Sequence, residues 1–218
     1  MGLTANSRTA DHQIEPLFLQ RWSPRAFTAE PISEANLLAI LEAGRWAPSA
    51  YNAQPWRFIY ARRDTPQWES LLSLLNDFNR SWAQNASALV VLASQKTFTA
   101  PNATEAQPSS THSFDTGAAW AAIAYQATLS GWHAHAMAGF DHDRTRTELA
   151  IPDDVAIEAI AAIGRIADKS TLSEILQKRE IPSPRKPLSE IAFNGSFLTS
   201  KRRQPEERAT RLRLWTMW

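Results

Sequence analysis

The chain has 218 residues and a mass of 24.4 kDa, which is enough for one globular domain with a sizeable core. The 23 lysines and arginines nearly balance the 22 aspartates and glutamates, so the net charge of +1 predicts no general affinity for nucleic acid. The absence of cysteine excludes disulfides, thiolate metal sites, iron–sulfur clusters and a cysteine nucleophile.

The first part of the chain predicts two helices, a loop and a strand. Residues 1–13 are expected to form a flexible arm, and the apolar stretch from Ile14 to Leu19 starts a short helix. Ser33 is a good N-cap for the next helix, which ends before a loop over residues 47–55. Residues 56–61 have the aromatic and β-branched side chains typical of a strand. The side chains expected on the inner side of the second helix are Leu37, Leu38, Ile40, Leu41 and Trp46.

The middle of the chain predicts a buried strand and a long apolar helix. A helix over residues 66–79 leads to an apolar run of strand length, residues 87–93 (SALVVLA). Residues 94–112 are polar and contain prolines, which predicts a mobile flap with His112 exposed to solvent. Asp115 to Gly131 is predicted as a helix that is apolar on nearly every side, which favours a place in the core or at an oligomer interface.

The last part of the chain predicts two further strands and a polar end. The strands are expected over residues 133–140 and 157–166, and a helix around residues 172–179 precedes a proline-punctuated extended segment, residues 181–198. Residues 199–218 form a basic, Trp-containing tail. It is expected to be an exposed extension, although a basic amphipathic helix for a partner or a membrane surface is the alternative.

The absence of a glycine-rich loop limits how the protein can bind phosphate. The seven glycines are never closer than eight residues apart, so a loop of the dinucleotide-binding or P-loop type cannot form. Any phosphate must be held mainly by side chains. Arg21, Ser23 and Arg25 alternate, and in an extended segment all three would share one face and could converge on one phosphate, with surface ion pairs as the alternative.

Residues 47–56 (APSAYNAQPW) form a loop of small and amide side chains between a helix and a strand. Small residues allow a flat ring to approach the backbone. Asn52 and Gln54 could pair with the amide edge of a heterocycle, which needs both donors and acceptors.

One group of side chains has the composition of a metal site, namely His133, His135, Asp141, His142 and Asp143. No helical His-Glu pair supports a metal there, and we expect none. Asp141 is expected to cap the following helix or to fix the glycine turn beside it.

Five segments together resemble the FMN-dependent nitroreductase family. They are residues 21–25 (RWSPR), 47–56 (APSAYNAQPW), 114–132 (FDTGAAWAAIAYQATLSGW), 137–141 (MAGFD) and 182–188 (PSPRKPL). Their order and spacing match the family as one FMN-binding domain from about residue 14 to 198. The resemblance implies an α+β fold, a three-layer α/β/α sandwich whose central sheet is mostly antiparallel. It also implies a homodimer with the long alanine-rich helix at its interface.

The resemblance assigns several residues to FMN. Arg21, Ser23 and Arg185 match the positions at which the family binds the FMN phosphate. Arg25 matches a residue that approaches the pyrimidine or ribityl part of the flavin. Asn79 would face the pyrimidine edge. The candidate cofactor-binding residues are Arg21, Trp22, Ser23, Arg25, Pro48, Ser49, Ala50, Asn52, Gln54, Asn79, Ala138, Gly139 and Arg185.

Two of these groups have special roles in the family. The loop with Pro48, Ser49, Ala50 and Asn52 matches the segment that covers the flavin from the neighbouring subunit. Gly139, next to Ala138, is where a backbone N–H meets flavin N5. Trp22 and Trp82 would lie near the flavin, whereas the apolar patterns around Trp46, Trp56 and Trp120 place these three residues in the core.

The sequence departs from some relatives at three positions near the flavin. Trp82 and Ser183 replace lysines, and Ala138 replaces a glutamate. Without the lysine at position 82, Arg25 is the best remaining cation to offset charge on the reduced flavin.

The resemblance implies a cytoplasmic oxidoreductase that does not associate with membranes. The flavin performs the hydride chemistry, so no side-chain nucleophile, general base or metal is expected. NADH or NADPH would reduce it in a ping-pong cycle, and a small electron-poor acceptor such as a nitroaromatic, a quinone or an enal would reoxidise it. The alternatives are a flavin- or partner-binding protein without reductase activity, and a family branch with another flavin reaction such as dehalogenation.

Overall fold

The structure is a computed structural model that describes residues 7–197, and the basic tail predicted at 199–218 lies outside the described residues. The strands are Trp56–Arg62 (β1), Ala88–Gln95 (β2), Thr97–Phe98 (β3), Gln107–Pro108 (β4), His133–Met137 (β5) and Val155–Gly164 (β6). The helices are Pro16–Gln20 (α1), Glu34–Arg45 (α2), Trp68–Ser73 (α3), Asp77–Ala83 (α4), His112–Leu129 (α5), His142–Glu148 (α6) and Glu174–Gln177 (α7). Short 3₁₀ turns lie at Ala50–Asn52, Lys169–Thr171 and Leu188–Glu190.

The central sheet has the strand order β1-β2-β6-β5, and each neighbouring pair is antiparallel. Val91 of β2 lies opposite Ile59 of β1 and Ile160 of β6, so the middle of the sheet consists of buried apolar residues. The predicted antiparallel sheet is confirmed.

Helices cover both faces of this sheet. Successive side chains of a strand point to opposite faces, and β2 shows this directly. Val90 and Leu92 pack with α2 and α5 on one face, whereas Leu89 and Val91 pack with α3, α4 and α7 on the other. The predicted α/β/α sandwich is therefore confirmed.

Helix α5 packs on the sheet with one side only. Ile123, Ala124 and Ala127 are buried in the layer shared with α2. Gly44 of α2 permits the close approach, since a Cβ atom there would lie 2.8 Å from Ile123 Cδ1. The other side of α5 leaves Phe114 81% exposed and Leu129 64% exposed.

The predicted helix over residues 66–79 is wrong, because two shorter helices replace it. Helix α3 ends at Ser73, and the Asn76 side chain starts α4 by accepting a hydrogen bond from the Asn79 N–H at 2.9 Å. Asparagine competes for local backbone groups in this way and therefore favours helix starts over helix interiors. Leu74 and Leu75, between the two helices, are buried.

The polar segment 94–112 is more ordered than a simple flap. Strand β2 extends to Gln95, and β3 pairs with β4 as a short antiparallel hairpin. His112 is the first residue of α5 and is partly buried, so its predicted exposure is wrong.

Two predictions for the inner side of α2 are also wrong. Trp46 is 75% exposed and Leu38 is 45% exposed. Trp46 follows the end of α2, where its Nε1 donates to Glu42 at 2.9 Å and its ring lies under the Arg45 guanidinium. Trp56 is buried as predicted, and Trp120 is partly buried. Within residues 7–197, no helix has the length and apolar character needed to cross a membrane.

Candidate functional site

Arg21 and Ser23 lie in the extended segment that follows α1. Arg21 has β-region dihedral angles, and its Nη1 donates to Ser23 Oγ at 3.3 Å. Both side chains line a cavity of about 310 Å³, together with Tyr125 of α5 and His135 of β5. The alternation predicted from the sequence therefore places the first two of the three residues on one site.

Arg25 is held differently, because a buried carboxylate binds it. Glu180 Oε1 accepts hydrogen bonds from the backbone N–H groups of Arg25 at 2.6 Å and Ala26 at 2.8 Å. Glu180 Oε2 lies 3.9 Å from Arg25 Nη1. Burial lowers the pKa of Arg25, Glu180 opposes this effect, and Arg179 adds to it. Convergence of Arg25 with Arg21 and Ser23 is therefore wrong in this form, since Arg25 is paired and does not line the cavity.

The segment after α7, which carries Arg185, lies near the segment that carries Arg21. Arg185 is exposed, and its Nη1 donates to Ser183 Oγ at 3.1 Å. Burial lowers the pKa of Arg21, Tyr125 opposes this effect, and the positive charge of Arg185 adds to it. The charge of Arg185 thus acts on Arg21, although Arg185 does not line the cavity.

The two histidines of β5 are partly buried and uncharged. Burial lowers the pKa of both His133 and His135 to about 4, so both are neutral at pH 7. His135 Nδ1 lies 2.9 Å from the Pro24 carbonyl oxygen, which can only accept, so Nδ1 carries the proton. Asp141 caps α6, as predicted, by accepting from the Arg144 N–H at 3.0 Å. Across residues 7–197 no three potential metal-binding side chains lie together.

Gly139 lies in a tight contact with two asparagines. The Gly139 carbonyl accepts from the Asn76 N–H at 3.1 Å and from Asn79 Nδ2 at 3.0 Å. A Cβ atom at position 139 would lie 2.4 Å from Asn76 Nδ2 and 2.7 Å from Asn79 Nδ2, so a larger residue would displace both asparagine side chains. Asn79, predicted to face the flavin, is thus fixed beside Gly139. Ala138 next to it is exposed.

The loop over residues 48–54 has an unusual backbone. Tyr51, Asn52 and Gln54 have φ values of 52°, 54° and 49°, a left-handed conformation that side chains other than glycine rarely adopt. Such strain persists only when surrounding contacts enforce it, and it clusters at functional sites. Ser49 Oγ accepts from the Gln54 N–H at 3.0 Å, and Gln54 Nε2 donates to the Asn52 carbonyl at 3.1 Å.

Two contacts hold this loop from outside. Buried Asp115 accepts from the Ala50 N–H at 3.2 Å and from Thr111 Oγ1 at 2.9 Å. The Tyr51 ring stacks on Phe98 of the β3–β4 hairpin, with ring centroids 5.6 Å apart. The loop is therefore fixed both to α5 and to the hairpin, while Pro48 and Asn52 remain exposed.

Within one chain, the loop does not line the arginine cavity. Asp115, which holds Ala50, is near the start of α5, whereas the cavity wall includes Trp120 and Tyr125, five and ten residues further along it. At a rise of about 1.5 Å per residue, these wall residues lie about 7.5 and 15 Å from Asp115 along the helix. The described chain therefore does not bring the loop residues together with Arg21 and Ser23.

The two tryptophans predicted near the flavin differ in burial. Trp82 is 1% exposed and lies between the rings of Phe27 and His135, so it is a core residue. Trp22 is partly buried beside Arg21.

A serine, a histidine and a glutamate meet at the base of the β3–β4 hairpin. Ser94 Oγ lies 2.7 Å from His112 Nδ1 and donates to Glu158 Oε1 at 2.5 Å. This group does not have the geometry of a nucleophilic triad, because Ser94 is fully buried and its proton is directed at the carboxylate rather than at the histidine. The cluster instead joins β2, β6 and the start of α5.

Sequence reasoning missed Glu180 and Asp115. Glu180 lies in a charged stretch with Lys178 and Arg179, which gives no local sign of burial. Asp115 did carry a signal, since it is the only charged residue between positions 113 and 131. A single acid at the start of an apolar helix is well placed to bind backbone N–H groups nearby.

Comparison with known proteins decides which family this fold and site represent. The sequence profile described as the nitroreductase family matches residues 18–165. The chain belongs to the nitroreductase family. A crystal structure of an oxidoreductase containing FMN is 48% identical to this nitroreductase-family chain, with a TM-score of 0.85, and the match covers 89% of this chain and 98% of the other.

Two further relatives are more distant from this chain. A nitroreductase of Desulfovibrio desulfuricans, crystallised in complex with FMN, is 26% identical with a TM-score of 0.65, over 85% of this chain and 99% of the other. An uncharacterised 15.4 kDa protein from the ask 5′ region of Mycolicibacterium smegmatis is 33% identical over 129 residues, which are 59% of this chain and 82% of that protein.

Proposed function

We propose that this nitroreductase-family protein is an FMN-dependent oxidoreductase that passes two electrons from NADH or NADPH to a small electron-poor acceptor. The observation that carries the proposal is the cavity lined by Arg21 and Ser23, whose segment Arg8 joins to that of Arg185 by donating to the carbonyls of Arg21 and Ser183. Two guanidinium groups and a hydroxyl suit a phosphate group. The similarity to an FMN-containing oxidoreductase over 89% of the chain supports the same cofactor.

The donor groups around the cavity fit FMN. Arg21, Ser23 and Arg185 would hold the phosphate, which replaces the glycine-rich loop that the sequence lacks. Arg25 Nε is buried and has no partner among residues 7–197, so it can still donate to a ligand. The Gly139 N–H forms no hydrogen bond with another residue in that range, in agreement with its predicted contact to the flavin.

When bound, FMN would supply the hydride chemistry. The protein's own part is to orient the ring and to place positive charge beside it. His133 and His135 are neutral, so the positive potential comes from arginines. Glu180 offsets part of the Arg25 charge, which makes this cation weaker than the sequence alone predicts.

The separation of the loop from the cavity favours a homodimer. The loop with Pro48, Ser49, Ala50 and Asn52 would cover the flavin held by the other subunit. Helices α2 and α5 cover the same face of the sheet, and four exposed apolar side chains on or next to them would form the interface. These side chains are Leu38, Trp46, Phe114 and Leu129.

The test is the colour of the purified protein and its response to reductants. We expect a flavin spectrum that bleaches when NADH or NADPH is added without oxygen and returns with a nitroaromatic, a quinone or an enal. A protein that binds FMN but stays yellow with both reductants would be a flavin-binding protein without reductase activity. Failure to bind FMN would contradict the cofactor assignment.

The Arg21→Ala variant tests the phosphate site. Loss of a hydrogen bond to a charged group costs about 1.5–3 kcal/mol, so FMN should bind about ten- to a hundredfold more weakly. Flavin fluorescence quenching measures the affinity. Arg144→Ala is the control, since Arg144 pairs with Glu148 on the surface of α6, outside the cavity and the proposed interface, and should leave FMN binding unchanged.

A further inference from the structure

Arg8, in the predicted N-terminal arm, joins the two segments that carry the candidate phosphate ligands. Its Nε donates to the Ser183 carbonyl at 2.8 Å. Its Nη1 donates to the carbonyls of Leu19 at 3.1 Å and Arg21 at 2.8 Å. One guanidinium therefore binds the backbone of Arg21 itself and the backbone two residues before Arg185.

A second contact strengthens this junction. Asp11 Oδ2 accepts from the Leu188 N–H at 2.9 Å, so the arm contacts the C-terminal segment on both sides of Arg185. This part of the predicted flexible arm is thus anchored to the fold. The contacts span 175 and 177 positions of sequence, so they fix how the two ends lie relative to each other.

The junction also gathers like charges. Burial lowers the pKa of Arg8, and the positive charges of Arg185 and Arg21 lower it further. Within the described part of the chain, no carboxylate forms a salt bridge with Arg21 or Arg185. The guanidinium groups of Arg21 and Arg185 repel each other unless an anion joins them, so the arrangement suits a bound dianion.

We propose that Arg8 is a positioning residue of the phosphate site, which sets the distance between Arg21 and Arg185 by fastening residues 19–21 to residue 183. The inference rests on the proposed function, because the anion is the FMN phosphate. The rigid fork of a guanidinium donates in several fixed directions at once, and a lysine ammonium does not reproduce it.

The experiment compares FMN with riboflavin, which lacks the phosphate. Both flavins are titrated into the full-length protein and followed by flavin fluorescence. We expect Arg8→Ala to weaken FMN binding about tenfold or more and riboflavin binding less than about twofold. Arg8→Lys, which keeps the charge but not the fork, should fail to restore FMN binding. Arg144→Ala should leave both affinities unchanged.

Three results would overturn the role of Arg8. The first is an equal loss of FMN and riboflavin affinity in Arg8→Ala, which indicates general unfolding. The second is full FMN affinity in Arg8→Lys, which indicates that charge alone matters, and the third is unchanged FMN affinity in Arg8→Ala. If Arg8→Ala does not fold, Arg8→Gln, which keeps a donor for one carbonyl, should show the same phosphate-selective loss. These failures differ from failure of the proposed function. In that case the wild-type protein would not prefer FMN to riboflavin, and Arg21→Ala would have no effect.

Discussion

Burial and neighbouring charge decide what individual polar residues can do in this protein. His133 and His135 lie on β5 close to Arg21 and Arg25, which disfavour a further positive charge. Both imidazoles are therefore neutral at pH 7, and protonation must accompany acid unfolding. The arginines are the cations at this site.

The two histidines predict acid-sensitive stability. Their folded-state pKa is about 4 against an ordinary value of 6.5, so the unfolded chain binds more protons between these values. The free energy of unfolding should therefore fall as pH drops from 6.5 to 4, by about 1.4 kcal/mol per pH unit for each histidine. Urea unfolding at several pH values measures this slope.

Substitution of one histidine checks the origin of this slope. His133→Asn should remove about half of it, because one of the two buried bases is gone. His12→Asn, on the exposed arm, should leave the slope as it is. An unchanged slope in His133→Asn would exclude that residue as a source.

For individual residues, the sequence predicted which side chains lie at the site better than it predicted which side chains bind each other. Arg21 and Ser23 share a cavity, as their alternation indicates. Arg25 does not join them, because Glu180 reaches it from 155 positions away. A contact of that kind leaves no pattern near either residue, so local reasoning could not find it.

Among the structural elements, the strained loop over residues 48–54 depends on a single buried acid. Asp115 accepts from Ala50 in the loop and from Thr111 before α5. Asp115→Ala should lower the free energy of unfolding by about 1.5–3 kcal/mol, since both donors lose a charged acceptor. Asp115→Asn keeps an acceptor oxygen and should lose less than half as much. Equal losses in urea unfolding would contradict this role.

The elements that the sequence mispredicted share one cause. Apolar periodicity continued through residues 66–79, but α3 ends at Ser73 and the Asn76 side chain starts a separate helix, α4. Trp46 looked like a core residue, yet a glutamate and an arginine at the end of α2 hold its ring at the surface. In both cases a polar side chain decided the local structure, whereas hydrophobic periodicity alone predicted otherwise.

For the whole molecule, the exposed side of α5 predicts a dimer. Phe114→Asp should convert the proposed dimer to a monomer and release FMN, because a carboxylate would be buried at an apolar interface. Light scattering after size-exclusion chromatography measures the mass, and flavin absorbance in the same peak measures retention. Ile175→Asp is the matched control, since Ile175 is 72% exposed on α7 on the opposite layer. If the Phe114→Asp variant remains a dimer and retains FMN, the interface does not include Phe114.

The architecture as a whole could be predicted because it rests on long patterns. The apolar run at 87–93 and the apolar helix after Asp115 correspond to β2 and α5, which form the centre of the fold. The antiparallel character of the sheet came from family resemblance, and the strand order β1-β2-β6-β5 was not predicted, since no local pattern shows which strands pair.

The contact that Arg8 makes between the segment of Arg21 and the segment of Arg185 has a consequence for biosynthesis. Arg21 leaves the ribosome early, but Arg185 and the Ser183 carbonyl that binds Arg8 follow only after the sheet has been made. The nascent polypeptide can therefore bury its strands before Arg21 and Arg185 can together bind an anion. An anion that needs both arginines can be bound only after β6, the last strand, has been synthesised.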